Sequence, residues 1–128
     1  MRIEKKVDLT ALEFELLADI DQQAEQVRGL FITNTPSQPA VYLQKEAEAE
    51  AFMADQNIAP ALIPNLVREA ARTGETLFDV AVVILTQAQF WREKSAQIED
   101  LRLGAKEQVR AATTVAGKRA AAKVEWLV

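Results

Sequence analysis

Apolar side chains recur every three to four residues along most of this chain, and no segment alternates strictly for long enough to read as a strand. The first stripe runs through Leu12, Leu16, Ile20 and Val27, with Phe14 and Leu17 beside it. Thr10 followed by Glu13 has the spacing of a capping box, so the pattern predicts a helix starting there. Gly29 either ends that helix or marks a close contact, and Leu30, Phe31 and Ile32 follow as an apolar anchor. Asn34, Thr35, Pro36, Ser37 and Pro39 then break the helical pattern. Ser37 suits an N-cap and Pro39 the first turn of a second helix. Short strands at "LFIT" and "AVYL" are the competing reading of this region.

The second helix is expected over residues 39 to 55, with Ala40, Leu43, Ala47, Ala51 and Ala54 facing a neighbour. In "EAEAEA", Glu46, Glu48 and Glu50 spread around the cylinder and read as solvent charges. A third helix is expected from about Pro60, with Ile63, Leu66, Val67 and Ala70 inward, Pro64 tolerated in its first turn, and Gly74 as its stop. Thr76 with Asp79 opens a long helix over about 76–112. A 4-3 rhythm holds along it: Leu77, Ala81, Ile84, Ala88, Trp91, Ser95, Ile98, Arg102, Ala105, Val109 and Ala112. Val80, Val82, Val83 and Leu85 add a second flank, so its first half is expected to be buried on most sides. Beyond Trp91, Ser95 and Arg102 dilute the seam, and that half is expected to project or to associate weakly with another chain. Thr114 can cap once more and open the terminal segment 114–128, whose nine-residue stretch "AGKRAAAKV" is too short and thinly apolar to stand alone as a helix. These elements predict an all-α protein: a small helical bundle of about four helices, with one long C-terminal helix and a docked short terminal helix. The N-terminal helix and anchor (1–33) read as an attachment element of the protein, followed by the helical bundle (34–128).

Composition supports helix and removes most chemistry. Four glycines and four prolines are few for 128 residues. Without cysteine there is no disulfide or thiolate site, and without histidine the commonest general base and metal ligand are missing. "RTGET" lacks the glycine and lysine pattern of a phosphate loop, and no D-x-D-x-D-G calcium pattern occurs. Ser37 and Ser95 have no activating partner nearby in sequence. The expectation is a protein with no catalytic, cofactor-binding or metal-ligating residues, and not an enzyme. No apolar run reaches the roughly 18 residues of a membrane span, and "MRIEKKVDLT" lacks a signal core, so the expected place is the cytoplasm or a particle assembled there. Net charge is −4, divided as −7 over residues 1–91 and +3 over residues 92–128. The bases of the second part alternate with acids and carry little aromatic interleaving, so nucleic acid is not the expected partner. Large or seam-placed side chains are the candidate protein-binding residues: Phe31, Tyr42, Trp91, Ile98, Arg102, Val109 and Trp126. Arg102 is expected to extend to solvent. Trp91 fills a core or anchors a partner, and Trp126 docks on its own fold or on another chain.

The order "RGLFIT", "PSQ", "VYLQKEAEAEAFMAD", "TGETLFDVAVVILTQAQFWREKSAQIEDLRLGAKEQVRAATT" and a closing Val-x-Trp resembles small tail-associated proteins of tailed bacteriophages and prophages. The matching positions are Arg28, Phe31, Ile32 and Thr33; Pro36 and Gln38; Tyr42, Lys45, Glu46 and Ala47; and Gly74, Glu75, Thr76 and Leu77. Ser37 stands where the group often has glycine. The likeness covers about residues 28 to 126 and leaves the first helix outside. It implies a structural or accessory component of a virion tail, near baseplate or tail fibres, assembled in the host cytoplasm. Other tail proteins would be its partners, with the chain a homo-oligomer or bound to an oligomer. It implies no catalytic residues. A tail assembly chaperone and a cellular helical adaptor or regulator are the alternative readings.

Overall fold

The computed structural model describes residues 7–32 and 38–128. Among the described residues five α-helices follow one another: α1 (Leu9–Arg28), α2 (Gln38–Ala54), α3 (Pro64–Thr73), α4 (Leu77–Ala111) and α5 (Val115–Ala121). A single 3-10 turn, Pro60–Leu62, precedes α3, and no strand occurs among the described residues. The all-α expectation holds, with the long helix and the short terminal helix where the sequence placed them. "AVYL" is helical, inside α2. Ser37, expected as a cap, lies outside the described residues, as do Thr33 and the rest of the turn up to it.

The chain divides into two compact units: Met1–Phe31 with Lys94–Val128, and Ile32–Glu93. Helix α4 contributes its first part to the second unit and its remainder to the first.

In the first of these units, α1 starts two residues earlier than expected. Asp8, not Thr10, is the cap: its carboxylate accepts from the Thr10 and Ala11 amides at 2.9 and 3.3 Å. A carboxylate is the stronger acceptor and suits the positive helix end. Glu13, expected to bond back to the cap, meets Lys118 instead. Ile20 of α1, Ala105 and Val109 of α4, and Ala122 just past α5 form the core, with Leu16, Leu17 and Val124 packed against it. Phe14 stays outside, 77% exposed. The later part of α4 does not project: Ile98, Ala105 and Val109 are all buried within their own chain. Arg102 in the seam does not free this half, because Asp21 on α1 meets it. Helix α5 starts as expected, with the Gly117 amide donating to Thr114 Oγ1 at 3.0 Å.

In the second unit, Ala49 and Phe52 of α2, Ile63 and Leu66 around the start of α3, and Val80, Ala81 and Ile84 of α4 form a separate core. The inward face of α2 differs from the expected alanine face. Ala40, Leu43, Ala47 and Ala54 are exposed, whereas Glu46 and Glu48 are buried. Helix α3 begins at Pro64, whose missing amide would have had no helical partner, and the Pro60 turn is separate from it. Gly74 ends α3 with φ of 76°, in the left-handed region that a side chain disfavours. The Asp79 amide donates to Thr76 Oγ1 at 3.1 Å and opens α4 as the spacing predicted. The first part of α4 is not buried on most sides. Val80, Ala81 and Ile84 face the core, while Phe78, Val82, Val83 and Phe90 are exposed.

Candidate functional site

The sequence-derived candidates separate by unit. Ile98 and Val109 are fully buried and serve their own core. Phe31 is half-buried, with the Lys94 ammonium 6.0 Å from its ring centroid, in the range of a cation–π contact. Trp126 is half-buried and its indole N–H donates to Gln23 Oε1 on α1 at 3.1 Å, so this end of the chain docks on its own fold. Tyr42 and Trp91 belong to the other unit and are half-buried there.

Arg102 does not extend to solvent. Its guanidinium donates to Asp21 at 2.7 Å and to both oxygens of Glu99, at 2.6 and 3.0 Å. Lys106 adds two bonds to Asp21 at 3.0 Å, and Arg28 reaches Glu99 at 2.9 Å. For Asp21, burial pushes the carboxyl up, but the bonds from Arg102 and Lys106 outweigh it and hold the carboxyl below its ordinary range. Glu99 is also held low, chiefly by Arg102. The same two carboxylates raise the guanidinium's affinity for its proton. Every charge in this cluster has an opposite partner, so it joins α1 to α4 and offers no unmatched group to a ligand.

Two further charges close helix ends. Glu48 Oε1 accepts from the Asn65 and Leu66 amides of α3 at 2.7 and 3.3 Å, and Oε2 from Asn65 Nδ2 at 2.6 Å. Lys118 is 5% exposed, and its ammonium donates to the Val109 carbonyl in the last turn of α4 at 2.8 Å and to Glu13 at 3.1 Å. Buried Glu46 is ion-paired with Arg92.

An open groove between α1 and the segment after α5 is lined by Leu12, Leu16, Ala122 and Val124, and by charges of both signs including Asp19 and Lys123. It gathers no convergent set of polar groups. Among the described residues no group of three acids could hold a metal ion, and no helix is long and apolar enough to cross a membrane.

What remains is a surface. On the first part of α4, Phe78, Val82, Thr86 and Phe90 recur every fourth residue, with Val83 beside them, and all five are exposed. Sequence periodicity placed these valines inside. The usable signal was that apolar positions cover more of α4 than one flank of neighbours can bury.

No family model matches this chain, nor does any curated protein or solved structure.

Proposed function

We propose that this chain is a non-enzymatic structural or accessory component of a bacteriophage tail, seated near the baseplate or tail fibres and held there by helix packing. The observation that carries the protein-binding part is the exposed apolar face of α4, Phe78, Val82 and Val83 foremost, on a helix whose opposite face is already buried. The tail context rests on the motif order from Arg28 to Trp126. The charges described above are absorbed in joining helices and closing their ends, which supports a binding role over a chemical one.

Mass spectrometry of purified particles tests the assignment. A structural component appears at an abundance comparable to other tail proteins. Its presence only in assembly intermediates would make it an assembly chaperone, and its absence from both would remove the tail reading.

A further inference from the structure

The exposed face of α4 carries a charge pattern that selects among occupants. At 100° per residue, Phe78, Val82, Val83, Thr86 and Phe90 fall within an arc of about 140°. The charged residues in that arc are Asp79 and Glu93, both acids, and Glu75 just precedes the helix. Arg92 and Lys94 are the cations beside this end of the stripe; both lie off the arc, Arg92 paired with Glu46 and Lys94 over the Phe31 ring. Two more of the unit's cations, Lys45 and Arg72, already meet Glu69.

A second copy of this chain is a poor occupant. A two-fold contact centred on the stripe places Glu93 against Glu75 if the helices run antiparallel, and each acid against its own copy if they run parallel. Either alignment sets like charges together beside an apolar strip, where desolvation makes the repulsion stronger. An anionic membrane surface is disfavoured by the same sign.

From this we infer that the α4 face binds an amphipathic helix of another protein, one with an apolar stripe flanked by lysine or arginine. This inference rests on the protein-binding reading above and adds the chemistry of the partner. Phe78, Val82 and Val83 meet the partner's apolar stripe, and Asp79 and Glu93 meet its cations at the rim, where they steer docking and set its direction.

The test uses the full chain and two labelled synthetic helices of about 18 residues, five turns, with identical leucine stripes. One is flanked by lysines and the other by glutamates, and binding is followed by fluorescence anisotropy at about 0.15 M salt. The lysine-flanked helix binds at least about tenfold more tightly than the glutamate-flanked one. The double substitution V82S/V83S weakens it by about tenfold, and D79N/E93Q narrows the preference between the two peptides. All four positions are exposed, and an unchanged far-UV circular dichroism spectrum confirms that the variants fold. The inference fails if V82S/V83S binds as wild type does, if both peptides bind equally, or if neither binds. It also fails if sedimentation shows a dimer that V82S/V83S dissolves, because the occupant is then a second copy. Failure here with the chain abundant in particles removes this partner chemistry alone; binding here with the chain absent from particles removes the tail assignment alone.

Discussion

Removing the Glu48 carboxylate should destabilise the second unit by far more than a glutamate in an alanine-rich helix ordinarily would. Pro64, Asn65 and Leu66 are the first three residues of α3, and Ile63 at the cap position has no side-chain acceptor. The amides of Asn65 and Leu66 therefore depend on Glu48, 17 and 18 residues earlier in the chain. Loss of an ordinary N-cap costs about 1 kcal/mol, and a carboxylate at a partly buried helix N-terminus contributes up to about 2 kcal/mol more. Leaving a buried amide unsatisfied costs roughly 1–3 kcal/mol. These overlap, so Glu48→Ala is expected to cost about 2–4 kcal/mol, with Glu48→Gln near half of that because it keeps one acceptor. Glu50→Ala, two residues on and exposed, should stay within about 0.5 kcal/mol of wild type. Urea unfolding followed by circular dichroism gives the totals, and amide hydrogen exchange at Asn65 and Leu66 locates them. A Glu48→Ala variant that matches Glu50→Ala, or one whose Asn65 and Leu66 amides remain protected, would refute the capping role.

Acid should loosen the first unit through Asp21 and Glu99. Both carboxyls are held below their ordinary range in the folded chain, so their contribution is complete above about pH 5 and is lost as pH falls through 4 and lower. Arg102→Met should flatten that dependence in urea midpoints measured between about pH 2 and 6; an unchanged slope counts against the network. The glycines should split in sign: Gly74→Ala, at φ of 76°, costs about 1 kcal/mol, whereas Gly104→Ala, mid-helix with nothing within 4 Å of the added methyl, gains about 0.5–1 kcal/mol in thermal unfolding. Lys118→Met leaves the Val109 carbonyl without its ammonium donor and should cost about 2 kcal/mol. Glu13→Gln should cost clearly less, since the Glu13 side chain is 31% exposed and can be hydrated; equal costs in chemical denaturation would mean that the ion pair, and not the helix end, is what Lys118 serves.

Which parts of this fold could be read in advance follows from where each side chain finds its partner. The 4-3 rhythm of α4 is a local property, and all eleven of its positions, from Leu77 to Ala112, are buried or half-buried. Thr76, Thr114 and Gly74 act within three or four residues of themselves and were equally legible. Glu48, Lys118 and Gln23 act on helix ends supplied by another element: the start of α3, the last turn of α4, and the Ala122 carbonyl after α5. In each case the sign or dipole suits the end it closes, acid at the amides and ammonium at the carbonyl. Nothing in "EAEAEA" distinguishes Glu48 from Glu50, because the difference lies in the backbone of α3. The exposed face of α4 was misread for a related reason. Periodicity tells which side chains could be buried together, whereas the number of neighbouring helices decides how many are. With α2 and α3 placed, one flank of α4 is covered in the second unit, and Val82 and Val83 are left over. That surplus of apolar flank over available neighbours is why α4 is the surface proposed to bind: a helix patterned for two sides but covered by its own chain on one.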